Sequence, residues 1–428
     1  MRSAQTLPDA ETIDERKRIH LALGELFVSS GKYEEATLNL RAALSLAQQQ
    51  QDRSSEVSCY RWFGRSHELR GEYSLALNWL EKGFSTLKGN VDLEEAELSL
   101  ISGLINVRQG NYDSALAMCQ RSLVVGEQHK DNAVLARTYN LMGIVHMGRG
   151  SGEAIKLFQQ SLSYYDELGN VYGQATSHNL IANAFFSKSQ WKEADEHYRR
   201  SLDLFTQTGN FYNQVLVNNN LGGIALKQGR FDSALGYYQR ALRLLEQING
   251  SLWVFGALHL NIGNVQLHRE ELMIAEEELR LAQAYFDQAR SRDLLPELFG
   301  VMTELALKQN NIIEAVQFGN RSLEIAQELQ MPLEEGHTLR ILGEIAQIQG
   351  DLGLAETRLL ASYKILKDVG DEYEGAKTQL ALARYYSAQG LQERSLSALR
   401  ESERVFDQLE AHYDLRAVRK LLEKYSTN

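Results

Sequence analysis

Proline is almost absent, three residues in 428. Proline removes a backbone donor and breaks helix interiors, so a chain this poor in it can be helical over most of its length. Cysteine is scarcer still, with Cys59 and Cys119 alone. Two cysteines build no disulfide framework and fit a reducing, cytoplasmic setting. No apolar run approaches the ~18 residues that would cross a bilayer. The opening Met1-Arg2-Ser3-Ala4-Gln5-Thr6-Leu7-Pro8-Asp9 lacks the apolar stretch of a secretory signal. Positive charge is in deficit, 45 Lys and Arg against 56 Asp and Glu for a net −11, which disfavours a protein that grips nucleic acid by its phosphates.

Catalytic and metal signatures are missing as well. The ten histidines form no H-E-x-x-H pattern and no ligand-spaced pair with cysteine. Neither a phosphate-cradling G-x-x-x-x-G-K-[ST] nor a nucleophile elbow G-x-S-x-G occurs. His178, His197, His259 and His268 fall on predicted helices and read as packing or solvated residues, and Cys119 reads as core. No catalytic residue, metal site or cofactor is expected, and no enzyme. Disorder is excluded too, because 43% of the residues are hydrophobic and can bury a core.

What the chain does have is repetition. Gly31-Lys32-Tyr33-Glu34-Glu35-Ala36 returns as Gly71-Glu72-Tyr73-Ser74-Leu75-Ala76 and as Gly110-Asn111-Tyr112-Asp113-Ser114-Ala115. The alanine continues through Ala154, Ala194, Ala234, Ala275, Ala315 and Ala355, with Ser395 in the tenth place, at spacings of 39 to 41 residues. A fixed period of this size means stacked supersecondary units. Twelve residues before the alanine stands a small residue, among them Gly24, Gly64, Gly222, Gly263 and Gly343. Seven after it stands another, such as Ala43, Ser122, Ser161, Ser322 and Ser362. Small residues at these offsets let two antiparallel helices cross closely, while larger neighbours fill the gaps.

This signature of small, alanine and small residues at offsets 0, 12 and 19 resembles the tetratricopeptide repeat family over roughly residues 15–410. The family's tryptophan near the start of the first helix and its proline at the repeat end are missing here. The period is near 40 rather than 34, which is similar to LGN-type polarity adaptors, kinesin light chain and the sensor region of MalT-like bacterial regulators. The linker Leu168-Gly169-Asn170-Val171-Tyr172-Gly173-Gln174-Ala175 is similar to those groups. The resemblance implies an all-α fold, a right-handed solenoid of about ten helix pairs over residues 11–410. A polar tail would precede it at 1–10, and an amphipathic capping helix would follow at 411–428, covering the last apolar face.

In the resembled family the first helix of each pair lines a concave groove. Carried onto this sequence, its groove positions include Arg137, Asn140, Thr176, Asn179, Asn183, Asn219, Lys227, Asn264 and His268. Asparagine is a mediocre helix former, yet its amide both donates and accepts, so a row of them can pair with the backbone of an extended peptide. Toward the N-terminal end Arg18, Arg61, Arg65 and Arg108 take groove positions, with Glu25, Glu68 and Glu97 beside them. These arginines could form an anion patch or pair with the glutamates across adjacent repeats. The expected function is a non-enzymatic adaptor that binds a partner peptide in the groove, without nucleic acid or membrane. The alternative is the ligand-sensing region of a MalT-like signalling ATPase or transcription regulator.

Overall fold

The computed structural model describes residues 12–87 and 92–426, and every regular element among them is an α-helix. The tail expected at residues 1–10 lies outside the described residues. The chain forms two compact units, Met1–Ala184 and Phe185–Asn428. The first holds the pairs α1 (Ile13–Ser29) and α2 (Tyr33–Gln49), α3 (Arg53–Leu69) and α4 (Tyr73–Leu87), α5 (Leu93–Arg108) and α6 (Tyr112–His129), and α7 (Asn132–Gly148) and α8 (Ala154–Glu167), followed by α9 (Val171–Phe186). The second opens with α10 (Trp191–Gln207). It continues with α11 (Phe211–Lys227) and α12 (Phe231–Gln247), α13 (Leu252–His268) and α14 (Leu272–Ala289), and α15 (Leu295–Lys308) and α16 (Ile312–Glu328). Then come α17 (Pro332–Ile348) and α18 (Leu352–Val369), α19 (Glu372–Ala388) and α20 (Gln392–Gln408), and last α21 (His412–Ser426).

Local chemistry sets these boundaries. Asp52, Asp131, Asn210 and Asp371 each cap a helix, their side chains accepting from the backbone N–H three residues on at 2.8–3.2 Å. Five residues before most of the repeated alanines the chain turns through positive φ, as at Gly31 (73°), Gly71 (74°) and Gly350 (80°). Glycine takes that conformation without a Cβ penalty. The same place is held by Ser189, Glu270 and Asn310 in three later repeats.

The repeat signature is the packing code. The repeated alanines and Ser395 are all buried. The small residue twelve positions earlier receives a large side chain from the second helix, four residues after the alanine. A Cβ on Gly64 would lie 2.5 Å from the Leu80 side chain, and one on Gly222 2.5 Å from the Tyr238 ring. The serine seven after the alanine pairs with a hydroxyl on the next helix: Ser122 with Thr138 at 2.8 Å, Ser322 with Thr338 at 2.7 Å and Ser362 with Thr378 at 3.0 Å. These buried hydroxyl pairs satisfy each other and stitch one repeat to the following one. α21 packs against α20 with Leu415 and Val418 buried, and Arg419 reaches Glu403 and Asp407 at 2.9 Å each.

Candidate interaction face

In the first unit the predicted groove arginines are all engaged by carboxylates. Arg61 meets Glu94 at 2.8 Å, a partner supplied by the next repeat. Arg65 and Arg108 flank the buried carboxylate of Glu68, the latter at 3.0 Å. Arg137 grips Glu97 with both terminal nitrogens, and Arg18 holds Asp14 at 3.0 Å within its own helix. Of the positions suggested as an anion patch, Arg61 and Arg108 thus pair across adjacent repeats and Arg18 and Arg65 within their own helices. Of the amides on this face, Asn140 is buried and accepts from Ser177 Oγ at 3.4 Å. Thr176 returns its hydroxyl to the Tyr172 carbonyl at 3.0 Å. Asn179 Oδ1 is shielded from solvent with no hydrogen-bond partner among the described residues, and Asn183 is partly buried.

In the second unit the odd-numbered helices share one face, and along its edge the starts of α19 and α21 pack against the starts of α10 and α12 and the ends of α11 and α13. Tyr373 of α19 takes the edge of Trp191 at 5.3 Å, and the Lys227 ammonium lies 4.6 Å from its ring centre. Its hydroxyl donates to Asp414 at 2.9 Å. Tyr413 of α21 sits edge-on to Phe231 at 5.2 Å and to His268 at 5.8 Å, while His268 stacks on Phe231 at 5.4 Å. Burial pushes the His268 pKa down, which favours the neutral imidazole for this stacking. Lys227 and His268, both read from the sequence as groove residues, therefore already have partners within the chain. Asn264 is partly buried on the same face. Asn219 accepts a hydrogen bond at 2.9 Å from Nδ2 of Asn261, a residue of the next repeat.

A charged network continues this face along α15, α17 and α19. The buried Arg340 guanidinium lies 3.3 Å from Glu374 and 3.6 Å from Glu304 and from Glu344. His337 Nε2 lies 3.4 Å from Glu304, and Lys377 3.5 Å from Glu374. Burial alone would raise the Glu374 pKa, but Lys377, His337 and Arg340 outweigh it and hold the carboxyl well below the usual range. Glu297 has no ion pair among the described residues. Burial first, then Glu334, pushes its carboxyl up. The sequence reading missed this network although the signal was present. The groove register applied to repeats eight and nine lands on Glu297, Glu304, His337, Arg340 and Glu344. Asn261 was missed because it stands one residue outside that register.

Among the described residues no group of side chains could hold a metal ion, and no helix is long and apolar enough to cross a membrane. Both cysteines are buried. Cys59, which the sequence places beside a groove position, has its thiol pushed up to about 12 by burial.

Two family models for tetratricopeptide repeats match, one over residues 134–207 and 173–247 and the other over 19–54. No curated protein sequence gives a significant match. Among solved structures, the chain is similar to a Rap protein complexed with competence and sporulation factor, with a TM-score of 0.58 at 13% identity over 92% of this chain and 98% of that one. The apo form of RapI gives a TM-score of 0.54 at 17% identity over 64% of this chain and 98% of that one. A signal transduction ATPase with numerous domains and a tetratricopeptide repeat sensor, from Pyrococcus horikoshii, gives 0.59 at 15% identity. That match spans 86% of this chain and 56% of the ATPase. At these identities the likeness is one of fold.

Proposed function

In a chain built of tetratricopeptide repeats, we propose that the face lined by the first helices is the working surface and that it holds an extended segment of a partner protein. The Asn219–Asn261 pair carries this reading. Its internal bond uses the Asn219 carbonyl and one Asn261 N–H. The Asn219 amide nitrogen and the Asn261 carbonyl remain, a donor and an acceptor that complement a peptide group. In the first unit Arg137, Asn140, Thr176, Asn179 and Asn183 line that unit's own first-helix face. In the second Lys227, Asn264 and His268 flank the amide pair. The fold likeness to a Rap protein crystallised with competence and sporulation factor supports a ligand-holding role, and no step of bond chemistry enters it.

A sensor role within a larger signalling protein is the second reading, supported by the likeness to an ATPase that carries a tetratricopeptide repeat sensor. Panning a displayed random linear peptide library tests the first. Selected peptides are expected to bind the wild type and to lose about tenfold in affinity with Asn219→Ala plus Asn261→Ala, since two hydrogen bonds to the peptide are worth about 0.5–1.5 kcal/mol each. Removing both partners together strands neither, so the melting temperature should hold. Peptides that bind the double variant equally well would rule the amide pair out. If no peptide is selected, a melting screen against small metabolites addresses the sensor reading.

A further inference from the structure

The edge of the second unit formed by the turns between paired helices bears an apolar strip. Met273 is 85% exposed, Ile313 75% and Ile348 63%, and Ile274, Leu352 and Leu354 beside them are exposed too. Large apolar side chains scattered singly on a surface need no explanation, whereas contiguous ones mark interaction sites. The repeat register places them at equivalent positions on one edge of three successive repeats. Met273 and Ile313 both stand two residues before the repeated alanine, and Leu352 and Leu354 straddle that position in the following repeat, with Ile348 just across the Gly350–Asp351 turn. In five of the other seven repeats the same position carries charge, at Glu34, Asp113, Lys192, Asp232 and Glu393, and Ser74 and Gly152 hold it in the remaining two.

The rim tells what would cover it. Glu270, Glu271, Glu277, Glu314 and Asp351 stand along this edge, and none of them has an ion pair among the described residues. Arg269, at the same edge, is already paired with Asp232 at 3.0 Å. We propose that the strip docks an amphipathic helix of a partner protein whose apolar stripe is flanked by lysine or arginine. The surface lies on the turn edge and stands independently of the amide pair on the inner face.

Fluorescence anisotropy with three labelled model helices tests this. One has a leucine stripe flanked by lysine, one the same stripe flanked by glutamate, and one scrambles the first. The lysine-flanked helix should bind at least tenfold tighter than the other two. Met273→Gln plus Ile313→Gln should abolish that binding, and Glu270→Gln plus Glu277→Gln should weaken it severalfold and flatten its salt dependence. All four side chains are exposed, and unchanged helicity by circular dichroism confirms that the variants fold. Equal binding of the three helices, or binding that survives Met273→Gln plus Ile313→Gln, would overturn the proposal. So would sedimentation showing a dimer that this double variant dissociates, because a second copy of the chain would then be the occupant.

Discussion

At the scale of single residues, the inner face of the second unit sets two carboxyls on opposite courses. Glu297 has its pKa raised, by burial first and by Glu334 second. Its folded form therefore holds a proton more tightly than the unfolded chain. The stability it contributes is complete below its ordinary value of 4.5 and is lost as pH rises. Glu374 is depressed, because its cations outweigh its burial, so its contribution is present above 4.5 and is lost as pH falls through the folded value. Glu297→Gln should accordingly raise the melting temperature at pH 7, with the gain shrinking towards pH 4. Glu374→Gln should lower it at pH 7, by less than the ~3–5 kcal/mol typical of a broken buried pair, because Glu304 and Glu344 still face Arg340. Calorimetric melts of both variants at pH 4, 5.5 and 7 decide it, and parallel pH profiles would refute the assignment. Neither role was legible in the sequence. A groove register names which residues share a face, but not the burial or the opposing charge that sorts one glutamate from another.

The helix and its turns were the most legible part of the chain, because one set of offsets is reused throughout. The alanine, the small residues on either side and the turn glycine each meet the same steric demand in successive repeats. The structure returns those positions as buried contacts and positive-φ turns. The serine–threonine stitch was half visible: the serine was recorded as merely small, while its partner lies sixteen residues on, in the following helix. The turns allow a clean test of backbone strain. Nothing lies within 4 Å of a Cβ built on Gly350, whose φ is 80°. Gly350→Ala therefore loses no contact and pays only the left-handed penalty of about 1–2 kcal/mol. Gln330 holds φ 54° in another turn, so Gln330→Gly should gain a smaller amount, offset by the greater freedom of glycine in the unfolded chain. At about 2–4 °C per kcal/mol for a unit of this size, differential scanning fluorimetry resolves the first change. A neutral Gly350→Ala would mean that the turn relaxes out of the left-handed region.

At the scale of the whole molecule, periodicity alone describes a one-dimensional stack in which each repeat answers only to its neighbours. It therefore marks neither the division after Ala184 nor the return of the second unit upon itself. That return depends on the curvature accumulated over several repeats and on aromatic residues that the period treats as ordinary fillers. Trp191 and Lys227 against Tyr373, and Phe231 and His268 against Tyr413, join helices far apart in the chain. A stack closed in this way should melt more cooperatively than independent repeats. The backbone passes close enough to be covalently fixed. A Cβ on Gly229 would lie 2.6 Å from that of Tyr413, about an ångström closer than the ~3.5–4.5 Å a disulfide spans, so the turn must move back by that much to accept the bond. With that small shift Gly229→Cys plus Tyr413→Cys should cross-link. Cys59 and Cys119 do not compete, since burial pushes both thiols up to about 12. Closing so long a loop restricts the unfolded chain by up to about 4–5 kcal/mol, against which stand the loss of the tyrosine ring and the strain of a cysteine at φ 73°. The oxidised variant should melt several degrees above its reduced form, and a non-reducing gel should show the faster-migrating cross-linked species. If the two cysteines cross-link no faster in the folded protein than in the unfolded chain, α21 does not rest against the α11–α12 turn in solution.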